Sequence, residues 1–142
     1  MKNPSHQINV VCVENILEHT NADSLELIHI EGYQAVSRKG TFRRGDIAIY
    51  IQPDSVVPQT EPFKFIWEPY VGLDGTVPEK RRRIKAKKLR GEWSEGLLLP
   101  IRDFPELYIN LGNYRVTVPE VGVDVSDALN ITHYNPPEDK AG

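Results

Sequence analysis

The sequence predicts an all-β domain with one or two short helices, built as a small barrel or sandwich. Short apolar segments recur about every ten residues, many of their residues are β-branched, and Gly, Asn and Asp stand between them. A chain of 142 residues is long enough for one hydrophobic core and too short for two. We therefore expect one domain over residues 1–134 and a linker at 135–142, where Pro, Gly and charged residues replace the apolar pattern.

Four strand patterns fill the first part of the chain, at residues 8–17, 25–30, 33–38 and 47–51. The dipeptide Glu31-Gly32 predicts a tight turn that joins the second and third patterns into a hairpin. The fourth pattern is apolar throughout, which is typical of a strand buried on both faces.

A short helix is predicted over residues 60–70. Pro62 suits a first helical turn, while Phe63, Ile66 and Trp67 share one helix face, and Pro69 should end the helix. A loop is expected to follow at residues 71–79, where two glycines and a proline occur.

The rest of the chain predicts less regular structure. Residues 97–99 form one more apolar strand pattern, whereas residues 101–119 give only a weak alternation. A last short helix is predicted over residues 126–129, with Asp124 or Ser126 as its N-cap.

Positive charge is concentrated in residues 80–90, which we call the basic strip. The strip holds eight of the 17 Lys and Arg residues and no acidic residue, although the whole chain has a net charge of -3. Such a local excess on an acidic body favours a polyanion that docks in one orientation. In an extended strand, Arg83, Lys85 and Lys87 would share one face, and Ile84 and Ala86 the other.

These charges give the candidate site. The residues predicted to contact nucleic acid are Arg81, Arg83, Lys85, Lys87, Lys88, Arg90 and Trp93. The cations would neutralise phosphates, or they would only solvate a strand edge, as lysine often does. Trp93 lies between two glycines and is either a platform on which a base stacks or a lid over the end of the barrel.

No pattern for catalysis or metal binding is found in the sequence. The four histidines and the single cysteine lack metal-ligand spacing, and no phosphate-binding loop occurs. A lysine nucleophile for nucleotidyl transfer sits in a Lys-x-Asp-Gly motif, but here Gly72 stands at the lysine position. We expect no catalytic residue, no metal and no cofactor in this chain, and no AMP transfer by the chain alone. Without a secretory or membrane-spanning segment, we expect an intracellular protein.

Three groups of residues form a distinctive pattern. The first comprises residues 21–26 and 32–36, Lys39, Gly40, Phe42, Gly45, Asp46, Tyr50, Ile51 and residues 53–58. The second comprises Arg83, Ile84, Lys85, residues 87–91, Ser94 and residues 96–100. The third comprises Gly122, Asp124, Val125, Leu129, Ile131, Thr132, Tyr134, Pro136 and Pro137. Together they resemble the N-terminal OB-type domain of ATP-dependent RNA ligases of the Deinococcus and Naegleria type and their bacteriophage relatives.

The resemblance implies an OB-like five-stranded β-barrel that acts as an accessory domain in RNA repair, where 3′-OH/5′-phosphate nicks are sealed. The catalytic lysine of such ligases lies beyond the end of this sequence, so ATP and Mg²⁺ are expected for the full ligase only. The implied partners are RNA or a nicked RNA-containing duplex and a covalently linked ligase domain, with no membrane. We expect a monomer in the cytoplasm or nucleus, or in the host cytoplasm for a bacteriophage protein.

Two other functions remain open from the residues. A stand-alone OB-type tRNA- or RNA-binding module is the first, because Asn-Ala-Asp followed by Leu also occurs in such modules. The second is a protein-interaction module in which the basic strip docks an acidic partner.

Overall fold

The computed structural model describes residues 6–136, and their regular secondary structure is mainly β-strand. The strands are β1 (Asn9–Cys12), β2 (Asn15–Glu18), β3 (Leu25–Ile30), β4 (Tyr33–Arg38), β5 (Ile47–Ile51), β6 (Ser55–Val56), β7 (Lys87–Leu89), β8 (Glu92–Ser94), β9 (Leu97–Pro100), β10 (Ile109–Gly112), β11 (Arg115–Thr117) and β12 (Thr132–His133). Helix α1 (Lys64–Trp67) lies between 3-10 turns at Glu61–Phe63 and Glu68–Tyr70, and further 3-10 turns occur at Glu79–Arg81, Ile101–Asp103 and Pro105–Leu107. The all-β prediction is confirmed, whereas most of the predicted linker, residues 137–142, lies outside the described residues.

The first predicted strand is present but bent between β1 and β2. Strand β1 pairs antiparallel with β5, and β2 pairs antiparallel with β3. At the bend, the Val13 N–H donates to the Asp46 carbonyl (2.8 Å), and the Glu14 N–H donates to the His29 carbonyl (3.0 Å). One bent strand therefore belongs to two sheets, β1-β5-β9 and β2-β3-β4.

These two sheets face each other as a barrel whose ladders do not close. Strand β4 reaches the β8–β9 segment through single bonds, from Glu95 N–H to the Gln34 carbonyl (2.7 Å) and from Val36 N–H to Ser94 Oγ (3.0 Å). The Tyr50 hydroxyl donates to the Glu95 carbonyl beside this junction. Around the barrel the order is thus β1/β2, β3, β4, β9, β5, which gives five strand positions.

Strand β5 divides the core in two, because its side chains alternate between two buried clusters. Ile49 and Ile51 belong to the outer cluster, between the barrel and the helical segments. Ala48 and Tyr50 belong to the inner cluster, inside the barrel. The prediction that this strand is buried on both faces is therefore confirmed.

The helix predicted over residues 60–70 is confirmed as a short α-turn between two 3-10 turns. Phe63 is buried, and Ile66 and Trp67 pack against the outer cluster. Pro69 lies inside the last 3-10 turn and does not end the segment. Within residues 6–136, no helix is long and apolar enough to cross a membrane.

The helix predicted over residues 126–129 is wrong, because these residues form turns. One helical bond occurs, from Leu129 N–H to the Val125 carbonyl (3.0 Å), and Asp124 Oδ1 accepts from the Ser126 N–H as a cap would (3.1 Å). Asn130 then adopts a left-handed φ of 55°, so the helical conformation ends after a single turn. A segment this short forms too few helical hydrogen bonds to offset the free-energy cost of nucleating a helix.

The weakly patterned residues 101–119 split into a buried and an exposed part. Phe104 and Leu107 enter the outer cluster. Strands β10 and β11 then form a hairpin whose side chains are all exposed, which explains why its sequence lacks a clear apolar face.

Two histidines that are far apart in sequence meet beside strand β6. The rings of His6 and His133 stack with centroids 4.1 Å apart. The Ser55 hydroxyl donates to the Gln52 carbonyl (2.7 Å) and therefore accepts from His6 Nε2–H (2.9 Å). Burial and His133 lower the pKa of His6, and the carboxylates of Asp54 and Asp124 oppose this effect only in part.

The free energy of unfolding should therefore fall as the pH falls below about 6.5, the ordinary pKa of histidine. The unfolded chain takes up the His6 proton at a higher pH than the folded chain, so acid favours unfolding by up to about 1.4 kcal/mol per pH unit in this window. Urea unfolding between pH 5 and pH 8, about 1.5 units either side of that value, measures the effect. His6→Gln should flatten the curve, and an unchanged curve in this variant would contradict the assignment.

Candidate nucleic-acid interface

The end of the basic strip folds into a β-hairpin, β7–β8, which we call the basic hairpin (residues 87–94). Its register pairs Lys87 with Ser94 and Lys88 with Trp93. The turn residues Arg90 and Gly91 have φ values of 50° and 92°, as a tight hairpin turn requires. Gly91 adopts its positive φ at no steric cost because glycine has no Cβ, and this favours a chain reversal at this position.

The loop between β2 and β3 anchors the basic hairpin. His19 Nε2–H donates to the Leu89 carbonyl (2.9 Å), and the Asn21 side-chain amide donates to the Arg90 carbonyl (2.8 Å). The second ring nitrogen of His19 accepts from the Asn21 N–H (2.9 Å), so both imidazole nitrogens are used. These bonds fix the turn of the hairpin on the body of the barrel.

The register separates the predicted contact residues onto two faces of the hairpin. Lys87 and Ser94 form one pair on the side that faces helix α1, where both line a cavity. Lys88 and Trp93 form the next pair, on the opposite side, with the Lys88 ammonium 6.0 Å from the Trp93 ring centroid. Trp93 is 52% exposed, so its ring is accessible from solvent.

The first half of the basic strip is not a continuous strand, which corrects the prediction of an apolar face formed by Ile84 and Ala86. Ile84 is buried but Ala86 is exposed. The backbone near Ile84 bonds instead to residues 54–57, through Ile84 N–H to the Ser55 carbonyl (2.8 Å) and Asp54 N–H to the Ile84 carbonyl (2.7 Å). This pairing holds Ile84 in the core and ends before Ala86.

Three arginines of the strip make contacts within the domain. Arg82 donates to the carbonyls of Val77 (3.0 Å) and Val57 (2.9 Å). Arg83 donates through Nε and Nη2 to Asp54 Oδ1, at 2.9 and 2.6 Å, and lies 4.4 Å above the ring of Tyr134. Arg81 lies 4.6 Å above the Tyr70 ring. Arg82 and Arg83 therefore stabilise the loop between β5 and β9, and Arg83 keeps only part of its donor capacity for a ligand.

Lys85 and Lys87 differ from these arginines. Both side chains are exposed, and neither has an ion-pair partner among residues 6–136. They stand at the edge of a cavity of about 260 Å³ between α1 and the basic hairpin, which we call the helix–hairpin groove. The groove brings together the three predicted cations Arg83, Lys85 and Lys87, whereas Lys88, Trp93, Arg90 and Arg81 lie outside its lining.

The lining of the groove is mainly apolar. Its apolar members are Val36, Phe65, Ile66, Ile84, Leu89 and Leu97. Phe65, which was not among the predicted contact residues, lies in α1 and is 62% exposed. Its signal was an aromatic residue on the helix side that faces away from Phe63, where a polar residue would be usual.

No metal-binding site is found among residues 6–136. No group of three or more His, Cys, Asp or Glu side chains could hold a metal ion there.

Comparison with known proteins gives the family. Residues 8–101 match a family model described as an OB-fold domain, and no curated protein matches the chain. Among solved structures, the chain is similar to Naegleria gruberi RNA ligase with PPi, at 28% identity and a TM-score of 0.73, over 95% of this chain and 37% of that one. A mutant of the same ligase with AMP and Mn gives 28% identity and a TM-score of 0.72, over 93% and 36%.

The chain thus spans little more than a third of the length of these ligases. The resemblance to an OB domain of an RNA ligase and the OB-like fold are confirmed, with sheets that stay open within residues 6–136. Since the matched model covers about two thirds of the chain, this protein belongs to the OB-fold domain family.

Proposed function

We propose that this domain binds RNA as the accessory domain of an RNA ligase, and that it presents a nicked RNA-containing duplex to a covalently linked catalytic domain. The observation that carries the proposal is the position of Lys85 and Lys87. They are exposed cations without ion-pair partners in the described structure, next to a hairpin that is anchored to the barrel. Similarity to RNA ligases supports RNA as the ligand.

The place of the basic hairpin in the barrel supports this function. Oligonucleotide-binding OB folds use the loop between the first and second barrel strands and the loop between the fourth and fifth. Here these loops are residues 19–24 and 52–96, and the hydrogen bonds of His19 and Asn21 join them. The basic hairpin thus stands where this fold commonly binds nucleic acid.

Charge supports the same ligand. The whole chain has a net charge of -3, so its general surface repels phosphates while the basic strip attracts them. In this proposal the adenylyl-transfer chemistry, with its ATP and Mg²⁺, belongs to the catalytic domain, because this sequence has Gly72 in place of the lysine nucleophile.

The salt dependence of RNA binding tests the proposal. With about three to five phosphates contacted, the logarithm of affinity should fall against the logarithm of salt concentration with a slope of roughly -2 to -4. Replacing Lys85 and Lys87 together by Ala should reduce the magnitude of the slope by about 1.5 to 2, since two phosphate contacts are lost. Fluorescence anisotropy titrations of a nicked RNA duplex at several salt concentrations measure both slopes.

The control variant replaces Arg102 and Arg115 by Ala. It removes the same charge from exposed sites outside the basic strip, so the slope should stay close to that of the parent. If the Lys85/Lys87 variant keeps the parent slope, these lysines are only a solvated edge. Docking of an acidic protein would then become the better explanation of the strip.

A further inference from the structure

We propose that the helix–hairpin groove is a subsite for one unpaired RNA base, which stacks on Phe65 while its neighbouring phosphates lie on Lys85 and Lys87. The inference deepens the proposed function and rests on it. A subsite of this kind would read strand ends or gaps, where a base is free of its partner, in addition to the charge of the backbone.

The size and lining of the groove fit a flat heterocycle. Its volume of about 260 Å³ lies just below the range of about 300 to 1,000 Å³ that is usual for small-molecule sites. Ile66, Ile84 and Leu97 belong to its apolar lining, while Lys85 and Lys87 add N–H donors. A single base has this combination of apolar faces and polar edges.

Phe65 is held ready for stacking. It is 62% exposed, although its neighbours Ile66 and Trp67 pack against the core. Trp67 Nε1–H also donates to the Thr60 carbonyl (3.0 Å), which fixes the helical segment on the chain before it. The backbone that carries Phe65 is therefore held in place before a base covers the ring, which lowers the ordering cost of binding.

Charge favours an anionic ligand such as a nucleotide over an apolar or basic peptide. No carboxylate occurs in the described lining, and three cations stand together at its edge. Arg83 is already paired with Asp54, so Lys85 and Lys87 supply the uncompensated charge. Lys85 and Lys87, which are two residues apart in the chain, would meet the phosphates that flank the base, and the apolar lining would meet the base itself. This is the complementarity that the proposal needs.

Abasic scanning tests the subsite. A short single-stranded RNA is titrated with the chain, and each base in turn is replaced by an abasic site. Removing the bound base should lower the affinity about 5- to 150-fold, the range that corresponds to the stacking of one base. Phe65→Ala should lower the affinity by a similar factor, keep the salt slope and abolish the difference between intact and abasic RNA.

Two further variants separate the ring from simple apolar volume. Phe65→Trp should restore the abasic effect and Phe65→Leu should not, because only an aromatic ring stacks. Trp93→Ala changes the exposed ring on the other face of the hairpin, so the abasic effect should persist. Thermal melting checks that each variant folds, which the exposure of Phe65 favours.

Two results would overturn the subsite. If Phe65→Ala binds intact RNA as tightly as the parent, or keeps the abasic effect, no base occupies the groove. Retention of the salt slope in that case leaves RNA binding by the domain in place, so the two failures are distinct. If the parent does not bind RNA but binds an acidic peptide in a Phe65-dependent way, both proposals fail and the groove takes a protein ligand.

Discussion

Replacing Gly96 by Ala should destabilise the domain by about 4 kcal/mol, the sum of a backbone cost and a packing cost of about 2 kcal/mol each. Gly96 has a φ of 108°, which an L side chain rarely adopts, and an added Cβ would lie 2.5 Å from the Ile51 carbonyl oxygen. The same Cβ would also meet the Tyr50 ring at 3.2 Å. These neighbours belong to the core of the barrel and have little room to move.

Chemical denaturation followed by fluorescence measures this change. Gly45→Ala is the matched control, because Gly45 has a similar φ of 92° but no atom within 4 Å of an added Cβ. It should cost about 1 to 2 kcal/mol, the backbone term alone. Equal losses in the two variants would show that the junction between β4 and β9 yields to the added methyl group.

Under the proposed function, the Gly96 variant should also lose RNA affinity at temperatures where it is still folded. Gly96 follows Glu95, whose N–H and carbonyl bond to Gln34 and Tyr50, and these bonds set the base of the basic hairpin. A shift at this point would change the position of Lys87 and Ser94 relative to helix α1. Binding measured well below the melting temperature separates this effect from unfolding.

Replacing Phe104 by Ala should cost about 3 to 5 kcal/mol, the usual loss for a fully buried aromatic residue. Phe104 is 1% exposed, and its ring lies 5.8 Å from the ring of Phe63. The substitution removes the partner of Phe63 and leaves a cavity in the outer cluster. Urea unfolding of the variant measures the cost.

Leu111→Ala provides the comparison, because Leu111 is 53% exposed in the β10–β11 hairpin and should change stability by less than about 0.5 kcal/mol. The prediction bears on the extent of the domain, since the matched family model ends at residue 101. If Phe104→Ala leaves the free energy of unfolding unchanged, the segment after residue 101 is dispensable for the fold.

Local patterns predicted the barrel strands well because their residues face the same core along the whole strand. The run 47–51 is a good example, since its continuous apolarity reflects burial on both faces. The bend at Val13 was not predictable, because its cause is a bond to Asp46, more than thirty residues away.

The candidate site was predicted only in part. Composition alone located the excess charge, but it could not separate Arg83 from Lys85. The difference arises from the carboxylate of Asp54, which approaches Arg83 only in the folded chain. Phe65 was missed for a related reason. It lines a groove only because the basic hairpin lies opposite α1 in the folded chain.

The anchoring of the basic hairpin has a consequence for engineering. The β2–β3 loop grips it through the carbonyl oxygens of Leu89 and Arg90, and every amino acid offers such an oxygen. Side chains at 85, 87, 88 and 93 are exposed and take no part in this grip. A combinatorial library at these four positions would therefore vary the exposed surface on a fixed backbone. Under the proposed function, selection for binding to different RNA ends would change the specificity of the domain without redesign of its barrel.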